Sequence, residues 1–255
     1  MRVLVCVKRV PAPGARILIA SDGRSLDTAH LGFTVSPHEE CATEEAVQLV
    51  ERHGGSSTVL TLGPPEAGEQ LRYAASIGVD GGVLVQTDGS DWDPQRTAAA
   101  IASAIETLEA RDGPFDLILF GNESADSGGF QVGIRVAHAL GRPIVNGIKG
   151  IDVGDAVATA RRGVDAGFEV YQLPLPAVLG VKEGLNLPRY PSLKGRLNSK
   201  KLAIEVIDPA AEVGGQRMLT FLPPKEQISE TQVLGHGADA APAVVDLLEN
   251  LAVLP

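Results

Sequence analysis

The segment with the most chemical content in this 255-residue chain is GNESADSGGFQVG, residues 121–133. Gly128 and Gly129 are adjacent and stand just before a run with helical character. Without a Cβ, their backbone N–H groups can approach a phosphate, and the positive end of a helix dipole favours an anion there. Asn122, Glu123, Ser124, Asp126 and Ser127 add polar groups suited to a ribose or an adenine edge. The alternative reading is a glycine-rich tight turn followed by an ordinary N-cap.

Other constellations are thin. Ser127-Gly128-Gly129 is similar to the phosphate loop of ATP pyrophosphatases. There, however, the motif follows the first strand and runs on to an Asp-Ser, and neither holds here. There is no Walker A motif and no G-x-G-x-x-G after the first strand. His30, His38, His53, His138 and His236 are scattered, and none sits with cysteine or carboxylate at metal-ligand spacing. His138 falls mid-helix and reads as a packing or surface residue. Cys6 lies in an apolar strand and reads as a small core residue. Cys41 lies near a helix N-terminus, where a lowered thiol pKa or a structural role both fit. No nucleophile, base and orienting group can be assembled from spacing. A nucleotide site without such machinery points to binding, signalling or electron carriage.

Charge and composition narrow the classes. Acids outnumber bases by 32 − 22 = 10, and aromatics make up 4% of the chain. Nucleic-acid binding wants a basic face, so it is not expected. No apolar run approaches the ~18 residues of a membrane span, so no membrane insertion is expected. The opening MRVLVCVKRVP puts its bases after the apolar run, unlike a secretory leader. Two cysteines cannot build a disulfide framework, and a cytoplasmic protein is expected.

The elements that must position the glycine loop alternate strand, loop, helix. Arg2 to Val10 predicts a buried strand. Ser36-Pro37 opens a helix with an N-cap hydroxyl, a proline in the first turn, and Glu39 and Glu40 near its positive end. Ala42, Ala46, Leu49 and Val50 give it an apolar stripe, and Gly54-Gly55 stops it. Further strands are expected at 57–62, 83–85 and 115–120, with helices at about 66–77, 93–110 and 129–140. Apolar strands of this kind suit a parallel sheet covered on both faces. The expected fold is therefore α/β, a doubly wound, mostly parallel, Rossmann-like sheet of the adenine nucleotide-binding type. After Gly141 short strands follow at about 144–151, 156–162, 167–173 and 177–181, with a hairpin around Gly163 to Gly167. Residues 183–197 read as a long loop, 200–207 as another strand, and 208–241 lack periodicity. Ala241 to Leu251 reads as an amphipathic helix that either clasps a partner or docks on its own domain.

The chain resembles the β subunit of electron transfer flavoproteins along nearly its whole length. The matching strings are VLVCVKRVP at 3–11, SPHEECATEEAVQL at 36–49, LGPPEAGEQLRYAASIGVD at 62–80, DLILFGNESADSGGFQVG at 116–133, LPAV at 175–178 and LNLPRYPSL at 185–193. Each alone is weak; their order makes the resemblance specific.

The resemblance implies a non-catalytic electron carrier, the β half of an αβ heterodimer. Such a carrier takes electrons from flavin dehydrogenases, acyl-CoA dehydrogenases of fatty acid oxidation among them. It passes them toward the respiratory chain through an electron transfer flavoprotein–quinone oxidoreductase. FAD is held mainly by the α subunit, and the β site holds AMP or, in electron-bifurcating branches, a second FAD. A stand-alone nucleotide-binding protein of similar fold is the alternative. Carried over, the cofactor-binding positions are Cys6 by its backbone, then Ser36, Pro37, His38 and Glu39, and then Ala67. They continue with Gly121, Asn122, Glu123, Ser124, Ala125, Asp126, Ser127, Gly128, Gly129, Phe130, Gln131 and Val132. Phe130 and Val132 depart from the polar residues of AMP-binding members, while the Gly-Asp-Thr usual in FAD-binding branches is also missing. AMP and FAD both stay open, with a lean to AMP.

The resemblance also assigns a partner-recognition loop at 184–197, with Arg189, Tyr190, Pro191 and Leu193 at the partner surface. Pro188 and Pro191 restrict its backbone and lower the ordering cost of binding. Leu193, between Ser192 and Lys194, is expected to project as an anchor for a hydrophobic pocket, the alternative being ordinary core. The expected organisation is a nucleotide-binding domain over 1–207 and an arm over 208–255 that contacts the α subunit.

Overall fold

The computed structural model describes residues 1–209, 214–223 and 231–253. It divides into two compact units, Met1–Phe221 and Leu222–Pro255. The strands of the first unit are β1 (Arg2–Val7), β2 (Val10–Pro11), β3 (Phe33–Thr34), β4 (Ser56–Gly63), β5 (Gly81–Gln86), β6 (Leu117–Gly121), β7 (Ile144–Val153), β8 (Val157–Val164), β9 (Gly167–Pro174), β10 (Ala177–Val181) and β11 (Ile204–Ile207). Its helices are α1 (Pro37–His53), α2 (Gly68–Ile77), α3 (Pro94–Asp112), α4 (Val132–Ala139) and α5 (Leu193–Ser199). The second unit contains α6 (Ala241–Asn250), preceded by a 3₁₀ turn at Gly237–Ala240.

The main sheet has the order β11-β5-β4-β1-β6-β10-β7-β8-β9. Neighbours from β11 to β7 run parallel, and β7, β8 and β9 pair antiparallel. The alternation of β1 explains the layering. Val3, Val5 and Val7 face a core completed by Ala42, Ala46 and Leu49 of α1 and Leu71 and Ala74 of α2. Leu4 and Cys6 face the opposite core, with Ala98, Ile101, Ile105 and Leu108 of α3 and Val136 and Ala137 of α4. Helices thus cover both faces of a mostly parallel sheet, the doubly wound, Rossmann-like arrangement expected from the sequence.

Helix starts follow the caps. Ser36 accepts from the Glu39 amide while the Glu39 carboxylate accepts from the Ser36 amide, a complete capping box. Asp93 accepts from the amides of Gln95 and Arg96 and opens α3. Gly54, Gly78 and Gly113 end α1, α2 and α3.

Four local expectations shift. Arg2 to Val10 does not form one strand: β1 ends at Val7, and Val10-Pro11 peels away to pair with Phe33-Thr34. The helix expected from about residue 129 begins at Val132, because Gly128 (φ 53°) and Phe130 (φ 54°) adopt left-handed backbone that a helix cannot include. The loop expected over 184–197 gives way at its end to α5, which Ser192 caps through the Gly195 amide. The strand expected from residue 200 starts at Ile204, after the turn that closes α5.

Candidate nucleotide site

Chain order reverses beside β1, with β4 and β5 on one side and β6 and β10 on the other. Ligands of open α/β sheets sit at the carboxyl ends of the strands at such a switch point. There an open cleft of about 360 Å³ is lined by Ser36, Pro37 and His38 of the α1 N-terminus and by Glu123, Ser124, Ala125, Asp126, Ser127 and Gly128 after β6. That volume lies in the lower part of the range typical of small-molecule sites.

Glu39 braces this cleft from beneath. Its carboxylate is buried and accepts from the Lys8 amide through Oε1 and the Ser36 amide through Oε2, each at 2.9 Å. It therefore ties the end of β1 to the start of α1. Burial pushes its pKa up to about 8, against the opposing pull of the Ser36 and Lys8 amides. Burial, with Glu39 beside it, pushes the Cys6 thiol up, so Cys6 is an inert strand residue, and it does not line the cleft. A Cβ at Gly121 would lie 2.6 Å from Glu39 Cγ, which is why glycine ends β6 here.

Polar ties hold the β6 loop over the helix end. The Ser36 hydroxyl donates to the Glu123 carbonyl at 3.3 Å. His38 Nδ1 accepts from the Glu183 amide at 2.8 Å, so in the neutral ring Nε2 carries the hydrogen and donates to Glu123 Oε1 at 3.2 Å. Lys8 Nζ reaches Asp126 Oδ2 at 2.6 Å. Burial opposes ionisation of Asp126, yet the Lys8 charge, with hydrogen bonds from Lys8, Ser124 and Ser127, holds its carboxyl below the usual range. The Asn122 amide donates to the Val181 carbonyl at 2.8 Å and fixes the loop to β10.

An anion has donors here. The Ser127 amide donates to Asp126 Oδ1 and the Gly128 amide to the Ser124 carbonyl. The amides of Gly129, Phe130 and Gln131 have no acceptor among the described residues. They lead into the first turn of α4, whose N-cap carries no side-chain bond. A Cβ on Gly129 would meet nothing within 4 Å, so the approach is open. The residues present fit an adenine nucleotide: unused amides for phosphate, and the Ser124 and Ser127 hydroxyls for hydroxyl and base edges.

Of the sequence-derived positions, Ser36 to Glu39 and Gly121 to Gly128 thus come together. Gly129, Phe130, Gln131 and Val132 continue from the loop into α4. Ala67 is fully buried on a 3₁₀ turn after β4 and packs in the α1/α2 core rather than lining the cleft. Lys8 and the Glu183 amide were missed. Lys8 was signalled by its place just past the end of the strand where chain order reverses. The Glu183 contact is through backbone and leaves no trace in residue type.

The other predicted surface lies on the segment after β10. Tyr190 is 94% exposed, Leu193 78%, and Pro191 is half-buried. Arg189 turns its guanidinium toward α1. Among the described residues no group of three or more His, Cys, Asp or Glu is placed to hold a metal, and no helix is long and apolar enough to cross a membrane.

Fold and site together define a Rossmann-like, doubly wound α/β protein with an open cleft at its switch point. The sequence model of the family described as "Electron transfer flavoprotein domain" matches residues 25–212. The chain is 33% identical to the electron transfer flavoprotein subunit beta of Bacillus subtilis, with 99% of each chain covered. It is 37% identical to that of Syntrophomonas wolfei over 88% of this chain and 86% of the relative. It is 34% identical to that of Mycobacterium bovis over 83% and 80%. The chain belongs to the electron transfer flavoprotein β-subunit family.

Proposed function

We propose that this chain is the β half of a heterodimeric electron carrier and serves no catalytic step of its own. Its α partner holds the FAD that accepts electrons from flavin dehydrogenases, such as acyl-CoA dehydrogenases, and releases them to a quinone oxidoreductase. The cleft beside Ser36 and Ser127 holds an adenine nucleotide, AMP in the preferred reading. FAD supplies one- and two-electron redox chemistry when bound; the residues of this chain bind, orient and exclude water. The observation that carries the reading is the row of unused amides at Gly129, Phe130 and Gln131 beside a cleft of about 360 Å³. The segment with Tyr190 and Leu193 supplies the docking surface for the dehydrogenase, since large apolar side chains exposed together mark an interaction site.

The test is stoichiometry. The complex is purified, denatured, and its released flavin and AMP are resolved by chromatography. One FAD and one AMP per heterodimer supports the reading. Two FAD and no AMP would replace AMP by a second flavin, as in bifurcating members. A colourless single chain would sink the carrier assignment.

A further inference from the structure

We propose that Arg189 is a positioning residue: it clamps the docking segment onto α1 so that its neighbours face outward. The proposal rests on the docking reading above and assigns the residue that organises that surface.

The clamp is built from a forked cation and two carboxylates on one face of α1. Arg189 Nε donates to Glu44 Oε2 at 2.9 Å and Nη2 to Glu44 Oε1 at 2.9 Å. Nη1 reaches Glu51 Oε1 at 2.7 Å and Nη2 reaches Glu51 Oε2 at 2.9 Å. The Arg189 amide adds a bond to Glu44 Oε2 at 3.1 Å. Glu44 and Glu51 are two helical turns apart, so they share a face. The Glu44 side chain is only 3% exposed, so the carboxylate of the pair is buried beneath a partly exposed Arg189. Each guanidinium nitrogen is engaged by a carboxylate, and four of the five N–H donors are used, so most of the group's hydrogen-bonding capacity is spent on α1.

The segment's other ties run the same way. Asn186 Nδ2 donates to the Cys41 carbonyl at 3.0 Å and to Glu45 Oε2 at 3.1 Å. The residues between and beyond these anchors are the exposed ones: Leu187 at 89%, Tyr190 at 94% and Leu193 at 78%. An unclamped loop would fold such side chains onto the nearest apolar surface. Fixing the backbone at Asn186 and Arg189, beside them, keeps them presented, and the ordering cost is met before a partner arrives. The guanidinium fork suits this because its donors are rigidly arranged, whereas a lysine ammonium is a point charge on a flexible stem.

The test is a thermodynamic cycle on the assembled flavoprotein. Reduction by a purified acyl-CoA dehydrogenase and its acyl-CoA is followed as flavin bleaching, with the flavoprotein as varied substrate. Arg189→Lys keeps a cation beside buried Glu44 but loses the fork. It should raise KM about tenfold and leave kcat within twofold, with flavin content unchanged. Tyr190→Ala/Leu193→Ala should raise KM on its own. Adding Arg189→Lys to that pair should then change little, because a residue acting through its neighbours has nothing left to position. A merely structural arginine would instead give additive losses in both backgrounds. Glu51→Gln, at a half-exposed site, loosens the same fork and should reproduce the effect more weakly if Arg189→Lys yields no protein. An unchanged KM in both clamp variants, or strict additivity, overturns the proposal while leaving the docking reading intact. An unchanged KM in Tyr190→Ala/Leu193→Ala overturns the docking reading and the clamp with it.

Discussion

Glu39→Gln isolates the ionisable group buried beneath the cleft. In the wild type each carboxyl oxygen accepts one backbone amide, from Lys8 and from Ser36, at 2.9 Å. A protonated carboxyl still offers a lone pair on both oxygens, so both amides stay satisfied at low pH. Glutamine has one oxygen and presents an NH₂ to the other amide, which leaves a buried donor unpaired at a cost of about 1–3 kcal/mol. At pH 5 the variant should therefore be the less stable protein by that amount. The pKa of Glu39 is pushed from its ordinary 4.5 to about 8 by burial. The folded state thus holds the proton more tightly than the unfolded state. The stability this contributes is complete below pH 4.5 and is lost as pH rises through 8. At ~1.36 kcal/mol per pH unit, the wild type loses up to roughly 5 kcal/mol across that window, and glutamine loses none of it. The difference should shrink with pH and change sign by pH 9, where the variant becomes the more stable. Urea midpoints of both proteins, in the same state of assembly, at pH 5, 7 and 9 read this directly. Parallel stability profiles would refute the argument and show that the amides and Lys8 keep Glu39 ionised throughout.

Three further outcomes are expected. Gly129→Glu places an anion at the unused amides in a position with open space around its Cβ, so nucleotide content should fall to near zero with melting temperature little changed; full nucleotide retention would show that the phosphate lies elsewhere. Leu193→Ala should weaken dehydrogenase coupling ten- to a hundredfold, since burying one leucine is worth ~1.5–3 kcal/mol, while the 78% exposure of Leu193 predicts an unchanged melting temperature; a large drop in melting temperature with normal electron transfer would mark it as core. Truncation after Phe221 keeps the hydrogen bond from its amide to the Gly23 carbonyl and removes the whole second unit. It should leave a folded first unit that no longer copurifies with the α chain, and undiminished copurification would remove the arm from the interface.

The fold was legible where a local rule and the tertiary outcome agree. Ser36 and Asp93 announce helix starts because an N-cap needs only its own next turn. The apolar runs of β1, β4 and β6 announce strands covered on both faces. The α1 stripe was read too narrowly: Val50 is only half-buried, while Glu44 and Glu45 are buried. Those acids are covered by Asn186 and Arg189, more than a hundred residues away, and no helical periodicity encodes that. The cleft loop was visible from its glycines, but the start of α4 was not. It depends on Phe130 accepting a left-handed backbone, which its side chain does not advertise. The Lys8–Asp126 and His38–Glu183 ties likewise join segments distant in sequence, so residue type hinted at the first and was silent on the second.

Helix α1 faces the cleft with its first turn, through Ser36 and His38, and grips segment 183–189 along its flank, through Cys41, Glu44, Glu45 and Glu51. In genetic terms the helix is pleiotropic. A substitution that tilts or loosens it should disturb the cleft and the segment together. Suppressors of either defect should be sought at the opposite end of the same seventeen-residue rod.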